Sequence, residues 1–168
     1  MIQLRKAKKQ ELSKAMHIIR MAKEHLKAQG IDQWQDGYPG ETHIARDIAN
    51  EKGYFLIENE ELLGYLCIDY DGEPAYETLD GEWATDDPYA VVHRMAFSAQ
   101  ARGKGLADTA FRLVEKQSAE KGVYSLRIDT DEGNKKMRHI LEKNGFTYRG
   151  TIWFENSVKI AFDKRIAE

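Results

Sequence analysis

The sequence predicts one α/β domain of the α+β kind, with a mixed, mostly antiparallel central sheet flanked by helices. Three observations predict it. Apolar spacing switches between period two and period 3.6 along the chain, in the order β-α-α-β-β-β-α-β-α-β-β. Two apolar pairs of segments are separated by short polar turns, as in hairpins, and one strand–helix–strand unit requires a parallel crossover. The 168 residues contain no internal repeat or linker, so residues 1–168 read as a single domain.

Residues 2–6 alternate apolar and polar side chains, as a first strand does. From about residue 10 the period lengthens: Leu12, Met16, Ile19, Ala22 or Lys23, and Leu26 share one helical face, and Gly30 offers a stop. A loop carrying Trp34 and Tyr38 leads to a second helix at about 41–50, with Ile44 and Ile48 inward. Residues 54–58 and 62–70 form a hairpin around Asn59-Glu60-Glu61. Gly72, Pro74, Gly81 and Pro88 make 71–88 irregular. A strand at 90–97, a helix at 106–121, a strand at 124–130 and a helix at 134–143 follow, the last stopped by Asn144-Gly145. Residues 146–154 and 158–163 close the chain as a second hairpin.

Composition narrows the function classes. A hydrophobic content of 42% with 32% charged residues is ordinary for a soluble domain, and three prolines argue against long disordered segments. The net charge of −3 comes from scattered basic and acidic residues, so no nucleic-acid footprint is expected. No stretch approaches the ~18 apolar residues of a membrane span. The expectation is a soluble cytoplasmic protein without a membrane partner. One cysteine, Cys67, excludes an internal disulfide and a multi-cysteine metal site, and its apolar neighbours suit a buried thiol. No metal is expected.

The segment that carries chemistry is Gln100-Ala101-Arg102-Gly103-Lys104-Gly105-Leu106-Ala107, between a strand and a helix. Glycines there permit a sharp turn and remove side chains that would keep a ligand away. The N–H groups of the turn and first helical turn then converge on an anion site suited to a pyrophosphate. Arg102 and Lys104 add charge at its rim. A tight strand–helix connection alone would also use two glycines. A Walker loop is excluded because Gly103-Lys104 is followed by Gly105, not Ser or Thr. Asp108 at the third glycine position breaks the dinucleotide pattern.

Gln100-x-x-Gly103-x-Gly105 resembles the Gln/Arg-x-x-Gly-x-Gly/Ala signature of the GNAT acetyltransferase superfamily. Met95-Ala96-Phe97 stands where that family has its apolar strand end, and Asn134, Met137, Ile140, Lys143 and Gly145-Phe146 are similar to its second motif, in register. The close match covers about residues 91–146. The resemblance implies acetyl-CoA as co-substrate. It places the pyrophosphate on residues 102–107 and the pantetheine arm in a gap where the strand ending at Phe97 splays from the next parallel strand. Asn134 would reach the cofactor side; as a helix N-cap it would serve the fold, and the two roles are compatible.

The reaction implied is attack of a neutral primary amine on the thioester, the oxyanion being held by a backbone N–H near Met95–Phe97. The family's tyrosine acid falls at Leu141, which has no proton to give. Two readings follow: an N-acetyltransferase, or a non-catalytic acyl-CoA-binding module. For the base the candidates are His93, whose free side chain titrates near neutral pH, and secondly Glu82. Simple alternation puts His93, Met95 and Phe97 on one strand face, and a bulge would disturb that phase. The acceptor, a small molecule or peptide amine, would meet Trp34, Tyr38 and Trp83, although these rings would equally pin their loops to the core. Many relatives are homodimers.

Overall fold

The computed structural model describes residues 1–167 as two compact units, Met1–Ile68 with Arg94–Ala110, and Asp69–His93 with the chain from Phe111 onward. The first contains strand β1 (Gln3–Lys6), helix α1 (Leu12–Ala28), helix α2 (Glu41–Ala49), strand β2 (Gly53–Glu58) and most of β3 (Glu61–Asp69). It also holds the end of β5 (Ala90–Phe97) and the start of α3 (Leu106–Glu120). The second holds β4 (Asp80–Gly81), the start of β5, the rest of α3, and β6 (Ser125–Asp131). Helix α4 (Lys135–Lys143) and strands β7 (Thr147–Phe154) and β8 (Ser157–Arg165) complete it. The strands are hydrogen-bonded in the order β1-β2-β3-β5-β6-β8-β7-β4, and apart from the β5–β6 pair the registered ladders are antiparallel.

In the first unit the β2–β3 hairpin turns on Asn59 and Glu60, both left-handed at φ 50° and 69°, the conformation a two-residue turn demands. Helix α1 is anchored at its start. Arg5 forks onto Glu11 at 3.0 and 2.8 Å, and the same carboxylate accepts the Lys8 N–H at 2.9 Å. The Arg5 hydrogen bonds outweigh burial and pull Glu11 down to about 2. Ala15, Met16, Ile18 and Ile19 of α1 pack with Ile44 and Ile48 of α2 and with Phe55 and Tyr65 of the sheet. The inward face of α1 thus lies early in the helix; Leu12 and Ala22 are only partly buried.

In the second unit, seven residue pairs join β6 to β8, from Ser125–Arg165 to Asp131–Lys159. The parallel β5–β6 ladder registers only Ala90–Leu126 and Val91–Arg127. The region expected to be irregular contains two short elements. Glu73 caps a 3-10 turn at Pro74–Thr78 by accepting the Ala75 N–H at 3.3 Å, and Pro at the first turn suits that geometry. The two-residue strand β4 then pairs Gly81 with Gly150, where a Cβ on Gly81 would lie 2.0 Å from the Arg149 carbonyl oxygen. Two glycines allow that approach, and local patterning does not reveal a strand this short. Arg127 is clasped between Trp83 and Tyr89, its guanidinium 4.3 and 3.9 Å from their ring centres, and donates to the Thr85 carbonyl at 2.7 Å. That clasp holds the segment before β5.

Candidate active site

The glycine loop lies within the first unit. Ser98 leads into a 3-10 turn at Ala99–Ala101, after which Gly103 and Gly105 are left-handed at φ 79° and 68°. Gly103, Lys104 and Gly105 are exposed, whereas Leu106 and Ala107 are buried and seat the first turn of α3. A Cβ on Gly103 would meet nothing within 4 Å, so the space above the loop is open. The first four N–H groups of a helix have no intrahelical acceptor, and here they face that loop's side of α3. An anionic pyrophosphate fits this donor set. Lys104 stands exposed beside it. Arg102 sends its Nη2 to the Met21 carbonyl of α1 at 2.9 Å, which ties the loop to that helix.

Immediately before the loop, β5 contains an irregularity. Arg94 has φ 55°, a left-handed conformation inside a strand, which for a side chain of this kind costs roughly 1–2 kcal/mol. Uniform alternation from His93 to Phe97 therefore does not run through the strand, because a left-handed residue resets its phase. Asp47 of α2 takes the guanidinium on two sides, from Nε at 2.8 Å and Nη2 at 2.5 Å. Tyr65 donates its hydroxyl to the same carboxylate at 2.8 Å. Burial acts against the Arg94 charge, but the Asp47 hydrogen bonds prevail and hold Arg94 above its ordinary range. Beyond it Ala96 is buried and Met95 and Phe97 are partly exposed.

The second unit holds His93 and Glu82, the two candidates for a base, and the titratable side chains around His93. His93 is buried at 8% exposure, stacked on Phe154 with ring centres 5.9 Å apart, and its Nε2 lies 3.6 Å from Glu73 Oε1. Tyr76, fully buried, neighbours the His93 ring and donates its hydroxyl to Asp129 Oδ1 at 2.6 Å. Burial raises Asp129 from its ordinary 3.8 to about 6 against the opposing pull of the Tyr76 hydrogen bond and Lys159. Glu82 is exposed on the segment after β4, its N–H donating to the Arg149 carbonyl at 3.3 Å. A histidine, two carboxylates and a phenol thus gather around one end of β5, a grouping typical of sites where protons move.

The remaining candidates divide between the units. Asn134 caps α4, its Oδ1 accepting the Met137 N–H at 3.1 Å. Leu141 is completely buried, as an apolar helix side chain in a core should be. Trp34 packs against the first unit's core, and Tyr38 accepts the Arg94 Nη1–H at 2.7 Å while meeting the His43 ring edge-on. Trp83 donates its indole N–H to the Tyr76 carbonyl at 2.9 Å. All three rings anchor their loops. Sequence reasoning missed Glu73, Tyr76 and Asp129 as neighbours of His93, and Asp47 as the partner of Arg94. The one available signal was Arg94 itself, a charge in an apolar strand that demands a buried partner.

A sequence model described as the acetyltransferase (GNAT) family matches residues 18–146. A GNAT-family acetyltransferase structure from Streptococcus agalactiae 2603 is 33% identical, with a TM-score of 0.90 over 99% of this chain and 96% of that one. The aminoglycoside acetyltransferase AAC(6')-Ib, in complex with coenzyme A and kanamycin, is 20% identical with a TM-score of 0.70, over 98% and 95% of the two chains. The PaiA N-acetyltransferase of Thermoplasma acidophilum, in complex with coenzyme A, is 16% identical with a TM-score of 0.71, over 98% and 99%. The last two likenesses are of fold. A sequence comparison with curated proteins finds no match. Among the described residues no group of His, Cys, Asp or Glu could hold a metal ion, and no helix is long and apolar enough to cross a membrane.

Proposed function

The chain belongs to the acetyltransferase (GNAT) family and is an acyltransferase, and from that premise we propose that it carries the acetyl group of acetyl-CoA to a primary amine on a small molecule or peptide in the cytoplasm. The observation that carries the cofactor half is the left-handed pair Gly103 and Gly105, exposed at the start of α3 with open space above Gly103. Residues 102–107 would hold the pyrophosphate through backbone N–H groups, and the backbone of Met95–Phe97 would align the acyl end. The pantetheine–thioester arm supplies the activated acetyl group. AAC(6')-Ib, crystallised with coenzyme A and kanamycin, is a fold relative whose bound molecule carries amines.

The acceptor amine, once neutral, attacks the thioester carbon; the C–N bond forms, the C–S bond breaks and CoA departs with the sulfur's electron pair. The amine proton passes to His93, which Glu73 would orient and stabilise once charged. Leu141 supplies no proton to the sulfur, and a thiol of pKa about 8.5 leaves acceptably as thiolate. That same buried leucine supports the second reading, a module that holds acyl-CoA without turnover. Isothermal titration with acetyl-CoA, followed by thiol release across an amine panel, separates the two. Binding with amine-dependent release establishes the transferase; binding without release for any amine favours the module.

A further inference from the structure

Arg94 is the only non-glycine residue with a positive φ inside a strand among the described residues; the others, Trp34, Glu51, Asn59, Glu60, Glu155 and Asn156, lie in loops and turns. Glycine would adopt this conformation without steric cost, yet the position carries a long charged side chain. That side chain is held on every arm. Asp47 accepts from Nε and Nη2, Tyr38 from Nη1, and Asp47 is itself 5% exposed and hydrogen-bonded by the buried Tyr65. Asp47 sits on α2, whose core packing with α1 makes it a firm anchor. The next three residues of β5 are Met95–Phe97, and a Cβ on Gly64 of β3 would lie 2.8 Å from the Ala96 carbonyl oxygen. The strand end therefore follows one tightly held path.

We propose that Arg94 is a positioning residue, whose fork onto Asp47 locks a left-handed turn in β5 and so aims the backbone of Met95–Phe97 at the acyl end of acetyl-CoA. The proposal rests on the acetyl-CoA reading above. A fork with two parallel hydrogen bonds fixes direction as well as charge, which a lysine would not do. A glycine would permit the turn but also its alternatives; arginine selects one. Tyr38 on Nη1 ties the loop between α1 and α2 to the same residue.

The test compares Gly and Ala at position 94 in an Asp47→Asn background, which removes the buried charge that Arg94 would otherwise leave unpaired. Both variants lack the same side chain, so a difference between them reports backbone conformation. Acetyl-CoA affinity is measured by titration calorimetry, with circular dichroism as the fold control. The expected result is that R94G/D47N binds about tenfold more tightly than R94A/D47N, because alanine resists the left-handed region. Equal affinities would overturn the positioning role while leaving the cofactor reading intact. Should that pair not fold, Arg94→Lys keeps the charge and loses the fork; affinity at least fivefold weaker than wild type supports the proposal, and unchanged affinity overturns it. Failure of the wild type to bind acetyl-CoA would overturn both readings.

Discussion

Asp129 and His93 belong to one cluster but make different predictions. Burial lifts Asp129 from 3.8 to about 6, so the folded protein holds its proton more firmly than the unfolded chain does. That contribution to stability is fully present below pH 3.8 and is lost as the pH rises through about 6. Asp129→Asn should therefore match the wild type near pH 4 and exceed it above pH 6, by roughly 2–3 kcal/mol if the full shift is relieved. Urea unfolding at pH 4, 6 and 8 checks this, and a pH-independent difference would refute it. His93→Gln should lower turnover about 10²–10⁴-fold and remove the low-pH limb, where a protonated base cannot act, from the pH–rate profile. Glu73→Gln, which keeps an acceptor near His93, should cost less and displace the same limb; a profile unaltered in both variants would take the pair out of the mechanism. His93 was a candidate from its place on the strand before the glycine loop. Glu73 and Asp129 were not, because neighbours 20 and 36 residues away in the chain leave no local pattern.

At the scale of elements, the glycine loop and the approach of β3 to β5 make opposite demands. Around Gly103 there is room, so Gly103→Glu adds only the cost of a left-handed side chain, about 1–2 kcal/mol, while placing a carboxylate where the pyrophosphate would bind. Acetyl-CoA affinity should fall at least 100-fold with the circular dichroism spectrum retained; normal affinity would remove the pyrophosphate from this loop. Around Gly64 there is none. The Cβ of Gly64→Ala would sit 2.8 Å from the Ala96 oxygen and 2.9 Å from the Phe97 ring, so the end of β5 must shift. That variant should lose about 1–3 kcal/mol of stability in chemical denaturation and bind acetyl-CoA more weakly. Helices and long strands were readable because their periodicity spans many residues. Strand β4 was not, since a two-residue strand is defined by its partner alone.

For the molecule as a whole, a co-substrate that binds only the folded state must raise its stability. At 100 times its Kd, acetyl-CoA should add about 2.7 kcal/mol, which for a chain of this size means a Tm about 5–10 °C higher. Thermal melting with and without acetyl-CoA measures this, and ATP at the same concentration should leave Tm unchanged. By itself the sequence determined the order of the helices and longer strands, the glycine turn at the head of a helix, and the absence of an acid at Leu141. Each of these is local chemistry: periodicity, backbone freedom and side-chain identity are all written in consecutive residues. The tertiary structure decided which side chains become partners. Folding brought Asp47 to Arg94, Glu73 to His93 and Tyr76 to Asp129, and it turned β5 left-handed where alternation predicts a straight strand. Those outcomes depend on burial, because a buried charge must find its counterpart wherever the chain has carried it.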